Sequence, residues 1–164
     1  MKNKVSVLFV CLGNICRSPT AHGVLRAKIH AAGLAGRIQV DSAGTGDWHL
    51  GAAPDRRARA TTKFHGISID DLRARQVTVA DLATTDYVLA MDNENLADLQ
   101  SLAIANELST ERISLFTDWC YEASRYPPGV PDPYAGGPEG FDQVFALVND
   151  GTDALIKVLQ SRLG

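Results

Sequence analysis

The 164-residue sequence has no apolar run approaching the roughly 20 residues that a membrane-spanning helix needs. Its longest uninterrupted apolar stretch near the start, Val7 to Leu12, is also too short for the core of an export signal with its flanks. Cysteine is scarce. Three residues, an odd number with no export signal, argue against a disulfide scaffold and for a reducing compartment, so a cytoplasmic protein is expected. Basic runs are also missing: 16 Lys+Arg stand against 19 Asp+Glu, a net charge of -3. A nucleic-acid or anionic-membrane partner needs a basic face, and none is expected. The densest positive stretch, Arg56-Arg57-Ala58-Arg59, has Asp55 beside it and reads as a solvated helix face. The four histidines, at 22, 30, 49 and 65, supply no second ligand pair at recognised spacing, so no metal is expected. What remains is 45% hydrophobic and 21% charged, an ordinary globular composition, and the length predicts a single domain over residues 1–164.

The hydrophobic pattern alternates between strand and helix. Val5 to Val10 is a β-branched, apolar run of buried-strand type that ends in Cys11-Leu12-Gly13-Asn14. Ser18 as N-cap and Pro19 at the first helical position open a helix whose stripe is Ala21, Val24, Leu25, Ile29 and Ala32, with Gly33 to end it. Further strands are predicted at Ile38–Val40, Tyr87–Met91 and Ile113–Phe116. Further helices are predicted at Pro54–His65, after an Asp92 cap, and from about Gly140 to Leu163 with a kink at Gly151. Strands separated by helices imply right-handed crossovers, hence a doubly wound α/β domain: a four-stranded parallel sheet with helices on both faces. Ligands of such sheets bind beyond the carboxyl ends of the strands, which directs attention to the loop after the first one. The Pro- and Gly-rich segment from about Asp118 to Glu139 reads as a long functional loop.

Residues 11 to 18 read Cys-Leu-Gly-Asn-Ile-Cys-Arg-Ser. A loop wrapped tightly into a helix start points several backbone N–H groups at one spot, and the helix terminus adds partial positive charge, so phosphate fits there. With one glycine and no Lys-Ser/Thr ending it is neither a Walker loop nor a dinucleotide fingerprint, and no cofactor is implied. The donors that hold an oxyanion also stabilise a thiolate, so Cys11 is expected to be the nucleophile, largely ionised at neutral pH. Arg17 can grip two phosphoryl oxygens through its planar fork, a geometry that lysine lacks. Cys16 is close enough in the loop to condense with an oxidised Cys11 and shield it, or else is an inert buried thiol. Cys120 has no comparable company. Trp48 and Tyr134 fall on loops, off the apolar stripes, and suggest the walls of a slot for an aryl ring.

The stretch from Val7 through Cys11-Leu12-Gly13-Asn14-Ile15-Cys16-Arg17-Ser18-Pro19 resembles the signature of low-molecular-weight protein tyrosine phosphatases. The similarity continues through Asp41-Ser42-Ala43-Gly44, His65-Gly66-Ile67, Ala74-Arg75-Gln76, Asp86-Tyr87 to Asp92, and Asp132-Pro133-Tyr134, covering essentially the whole chain. The resemblance implies hydrolysis of phosphotyrosine and small aryl phosphates through a cysteinyl-phosphate. Leu12, Gly13, Asn14, Ile15, Cys16 and Ser18 would then form the phosphate-binding loop. It assigns Asp132, held out of a helix by Pro131 and Pro133, as the acid that protonates the leaving oxygen and the base that later activates water. It makes Ser18 a stabiliser of the thiolate and bonds Asn14 to Ser42 and His65; Ser18, Asn14 and His65 otherwise read as a helix cap, a turn residue and a plain C-terminal helix histidine.

The resemblance further implies phosphotyrosine-bearing protein substrates, a tyrosine kinase as a possible partner, and a monomer or weak dimer. Two alternatives lie close by. Arsenate reduction on the same fold needs redox cysteines after the third strand, and residues 92 to 110 contain none. Relatives that prefer phosphoarginine tend to carry threonine where Ile15 stands. The chain departs from the family pattern at His22, where a glutamate is common, and at Ala135, where many members have a second tyrosine.

Overall fold

In the computed structural model, which describes residues 3–119 and 129–163, four strands form one parallel sheet in the order β2-β1-β3-β4. The strands are β1 (Val5–Cys11), β2 (Ile38–Gly44), β3 (Tyr87–Ala90) and β4 (Ile113–Leu115). The helices are α1 (Arg17–Ala31), α2 (Arg56–Phe64), α3 (Val79–Thr84), α4 (Asn93–Ala105) and α5 (Glu139–Arg162), with a 3-10 turn at Phe116–Trp119. The alternation of side chains along β1 sorts the core into two layers. Val5, Val7, Phe9 and Cys11 face α1 and α5, where Val24, Leu25, Val144, Val148, Leu155 and Leu159 complete the layer. Leu8 and Val10 face the other way, onto Leu82 of α3 and Leu99 and Ala103 of α4. Phe9 meets Phe116 edge to face at 5.5 Å. Helices thus cover both faces, as the alternation of elements implied.

The chain order turns outward in both directions from β1, so the carboxyl ends of β1 and β3 flank the point where the winding reverses. Cys11 stands at one of these ends and Asp92 just beyond the other. A third, smaller apolar cluster of Ile15, Cys16, Ala58, Ile69, Ala74 and Phe141 supports the loop between β1 and α1.

Several boundaries differ from the sequence expectation, each for a local reason. β2 runs on to Gly44 rather than stopping at Val40, because Asp41 to Gly44 stay in register with Leu8 to Cys11. α1 starts at Arg17, with Cys16 at the N-cap and no side-chain cap bond, so Ser18 lies inside the first turn and does not cap. Pro19 is tolerated there because the first four N–H groups of a helix have no intrahelical acceptor. α2 is capped by Asp55, whose carboxylate accepts from the Arg57 N–H, and begins one residue after it. α3 was not anticipated; a reciprocal capping box between Thr78 and Asp81 starts it. α5 passes through a buried Gly151 as one continuous 24-residue helix. Cys120 lies outside the described residues.

Candidate active site

The loop from Cys11 to Arg17 is pinned with its carbonyls turned outward. Cys11 O accepts from Thr45 N (2.9 Å), Leu12 O from Gly46 N (2.9 Å), Ile15 O from Asp55 N (2.7 Å), and Cys16 O from the Thr20 hydroxyl (2.7 Å). Gly44 permits this closeness, since a Cβ there would stand 2.6 Å from Leu12 O. With the acceptors tied back, the amides of Gly13, Ile15, Cys16 and Arg17 have no acceptor among the described residues, and they form a donor set for an anion. The Asn14 amide points at the Cys11 sulfur, 3.2 Å away. Asn14 takes a left-handed φ of 56°, a conformation asparagine tolerates better than most residues.

A directed chain of hydrogen bonds ends on that sulfur. The backbone N–H of Arg75 can only donate, and it meets Asn14 Oδ1 at 3.0 Å, which orients the amide. Asn14 Nδ2 therefore donates to Ser18 Oγ at 2.8 Å. The Ser18 hydroxyl has one proton, and Cys11 Sγ at 3.0 Å is nearer than Ala43 O at 3.4 Å. A Cys11 thiolate thus receives the Ser18 hydroxyl and the Asn14 amide together. Arg75 itself is held by a two-pronged pair with Asp81 and a 2.8 Å contact to Asp41; the Asp81 hydrogen bond is the main reason its guanidinium is held above its ordinary range.

Arg17 is buried, with its side chain 3% exposed, and it joins three elements. Its Nη1 donates to Asp92 Oδ2 at 2.6 Å and to Val130 O at 3.0 Å, while Nη2 lies 3.7 Å from Asp132 Oδ2. Burial pulls the guanidinium pKa down, but the Cys11 sulfur and Asp92 outweigh it, and the net shift is upward. Val130 also donates its N–H to Met91 O, so the segment carrying Asp132 is anchored against the end of β3. Gly129 allows that approach: its φ is 103°, and a Cβ would lie 2.9 Å from the Asp92 Cα. Asp132 is 48% exposed in its side chain and accepts the Tyr134 N–H at 3.1 Å, a local turn that aims the carboxylate at the loop.

Together these groups surround a cavity of about 160 Å3. Cys11 and Arg17 form its floor with Gly13, Ile15 and Cys16, and Leu12, Trp48, His49, Asp132 and Tyr134 complete its walls. Trp48 and Tyr134, 70% and 50% exposed, offer aromatic faces at the rim. A larger cavity of about 660 Å3 runs along the free edge of β2 but lacks a thiol, and its Arg75 is neutralised by Asp41 and Asp81. Among the described residues no group of three His, Cys, Asp or Glu side chains could hold a metal ion, and no helix is long and apolar enough to cross a membrane.

Three supporting residues differ from expectation. Asn14 bonds Ser18 and Arg75 rather than Ser42 and His65. Ser42 pairs with His22, whose Nδ1 is 3.0 Å from Ser42 Oγ in a buried setting. His65 is exposed at the end of α2 and stacks on Phe145 at 3.9 Å. Sequence reasoning also missed Asp92, Arg75 and His49 as parts of the site. Asp92 is legible as a helix cap, which it also is, accepting from Asn95 N at 2.8 Å. Cys16 is buried and free, and burial, with Asp55 the next contributor, pushes its thiol pKa strongly upward.

The family model for low molecular weight phosphotyrosine protein phosphatases matches residues 6–163. The chain belongs to that family. It is thus a protein tyrosine phosphatase by descent, a hydrolase, and the resemblance drawn from the loop holds over its whole length. It is 41% identical to the low molecular weight protein-tyrosine-phosphatase YfkJ of Bacillus subtilis over 95% of this chain and 96% of the relative. The crystal structure of YfkJ superposes with a TM-score of 0.89 at 39% identity, covering 98% of this chain and 97% of YfkJ. The human low molecular weight phosphotyrosine protein phosphatase is 39% identical over 85% of this chain and 86% of its own. A Drosophila arginine phosphatase shares the fold at a TM-score of 0.86 and 30% identity, covering 95% and 98%. The higher identities are to proteins named for phosphotyrosine.

Proposed function

We propose that this phosphatase removes phosphate from phosphotyrosine in proteins in two displacement steps at Cys11. In the first, the Cys11 thiolate attacks phosphorus in line, Asp132 protonates the departing phenolic oxygen, and a cysteinyl-phosphate forms. Arg17 and the free loop amides hold the three non-bridging oxygens and stabilise the charge that builds on them in the transition state. In the second, Asp132, now a carboxylate, takes a proton from water as it attacks phosphorus, and the thiolate leaves under the Ser18 hydroxyl. The observation that carries this reading is the placement of Cys11, Arg17 and Asp132 around one cavity with aromatic residues at its rim. Ile15 contributes an apolar surface to the cavity, better suited to a phenyl ring than to a guanidinium.

Its partners are then phosphotyrosine-bearing proteins of the cytoplasm, supplied by a tyrosine kinase, and residues 1–164 act as one catalytic domain. In that reducing compartment Cys16 guards the nucleophile. If Cys11 is oxidised to a sulfenic acid, the Cys16 thiol condenses with it, forming a disulfide and releasing water.

The deciding experiment is a panel of phosphotyrosine, phosphoserine and phosphoarginine peptides with the wild type and Cys11→Ser. Turnover of phosphotyrosine by the wild type alone is expected. Turnover by Cys11→Ser, or a preference for phosphoarginine, would overturn the assignment.

A further inference from the structure

The positive stretch on α2 is not the freely solvated face that its composition suggests. Arg57 places Nε and Nη2 each 3.0 Å from the two oxygens of Asp55, a planar two-pronged pair, and Nη2 reaches the Tyr134 carbonyl at 2.9 Å. Its guanidinium carbon lies 4.6 Å from the centre of the Phe141 ring and 5.7 Å from that of Tyr134. Asp55 is itself fixed to the phosphate loop, since its N–H donates to Ile15 O. At the other end, the Tyr134 N–H holds Asp132 Oδ1. A continuous path therefore runs from the loop that carries the nucleophile, through Asp55, Arg57 and Tyr134, to the carboxylate of Asp132. Upstream of Asp132 the segment is tied at Val130. Downstream, before α5 begins at Glu139, the bond from Arg57 is its hydrogen-bonded tie to another element among the described residues.

We infer that Arg57 is a positioning residue that holds the Asp132 carboxylate over the cavity, within reach of the leaving-group oxygen that it protonates, an inference that rests on the phosphatase reading above. The fork geometry is what makes the strap. One edge of the guanidinium grips Asp55 while the same Nη2 turns a second proton to Tyr134, and a lysine ammonium cannot reproduce that planar set. The reach of an acid matters within fractions of an ångström, and misplacement by about 1 Å costs on the order of 100-fold in rate. Releasing the strap therefore weakens proton donation while leaving the sulfur and the phosphate donors in place.

The test compares kcat/KM for phenyl phosphate, whose leaving oxygen needs a proton, with that for 2,4-dinitrophenyl phosphate, whose does not. Because kcat/KM reports the steps up to cysteinyl-phosphate formation, it isolates the acid role of Asp132. Arg57→Ala is expected to lower the phenyl to dinitrophenyl ratio about tenfold. In an Asp132→Asn background the same substitution should leave the ratio unchanged, because there is no acid left to position. Arg57→Lys should resemble Arg57→Ala, and it provides the measurement if the alanine variant does not fold. A proportional fall for both substrates, an unchanged ratio, or an equal drop in the Asp132→Asn background would overturn the inference. Absence of wild-type turnover on either ester would remove the phosphatase reading, and this inference with it.

Discussion

Arg17 Nη1 and Asp92 Oδ2 lie 2.6 Å apart across the point where the sheet reverses its winding. With Val130 O on the same nitrogen, this pair occupies one side of the guanidinium and leaves the Nε–Nη2 edge for a phosphoryl group. Asp92 is therefore what sets the rotation of the fork. Its other oxygen caps α4, so one side chain serves both the helix and the site.

Replacing Asp92 separates these duties. Asp92→Asn retains an acceptor for the cap but gives up the charge opposite Arg17, so kcat/KM for p-nitrophenyl phosphate should fall about tenfold with little change in melting temperature. Asp92→Ala should show a similar kinetic loss and in addition cost about 1 kcal/mol of stability through the missing cap. Urea melts beside steady-state kinetics distinguish the two. Unaltered kinetics in both variants would show that the fork needs no such partner.

The Ser18 hydroxyl is the last link to the sulfur, and its contribution should be largest when the thiolate is the leaving group. Ser18→Ala is expected to slow breakdown of the cysteinyl-phosphate by on the order of 100-fold, the usual cost of one donor to a developing anion. Stopped-flow p-nitrophenol release should then show a burst approaching one equivalent of enzyme. If formation and breakdown slowed equally, the hydroxyl would have no selective role on the departing sulfur.

Much of this site was legible in the residues, and what was not has identifiable causes. β1 and its loop were plain because a buried parallel strand is a continuous apolar run, and Asp92 was visible as a cap. The end of β2 was not, since Asp41, Ser42, Ala43 and Gly44 have poor strand propensity and pair only because β1 continues beside them. Ser18 followed by proline looked like a helix start, but its hydroxyl is taken by Cys11 and Asn14 instead. Arg75 acts on Asn14 through a backbone N–H, a contact that no side-chain pattern records. For α3 the signal lies in Thr78 and Asp81, at capping-box spacing, but the six residues of the helix carry too short an apolar pattern to announce it. The resemblance points to His65 beside the loop, whereas His22 on α1 is the histidine that meets Ser42; which one faces Ser42 depends on the packing of α1 against β2.

Asp132 should matter in proportion to the basicity of the leaving group. Asp132→Asn keeps the side chain's shape and its turn with Tyr134 but cannot donate a carboxylic proton. A loss of roughly 100-fold to 10,000-fold in kcat/KM is expected for phenyl phosphate, the range typical of a positioned general acid. A much smaller loss is expected for 2,4-dinitrophenyl phosphate. Parallel losses on the two esters would instead assign Asp132 to binding.

His22, paired with Ser42 Oγ at 3.0 Å, ties stability to pH. It is 7% exposed, and burial lowers its pKa from 6.5 to about 4, with Arg26 and Arg75 acting in the same direction and Asp41 and Asp71 against it. In the unfolded chain the imidazole takes up a proton as pH falls through 6.5, whereas the folded protein resists until about pH 4. The unfolded state thus binds more protons across that window, and the stability that a neutral His22 contributes, fully present above pH 6.5, declines as pH drops toward 4. The His22 contribution to this loss is about 3 kcal/mol at the lower end. Carboxylates titrate there too, so the diagnostic quantity is the difference from His22→Gln, which can still hydrogen-bond Ser42 but cannot take up the proton. Urea unfolding at pH 7.5 and pH 4.5 should show the variant losing less stability than the wild type between the two. Equal losses would mean that His22 is protonated in the folded protein at a pH close to its ordinary value.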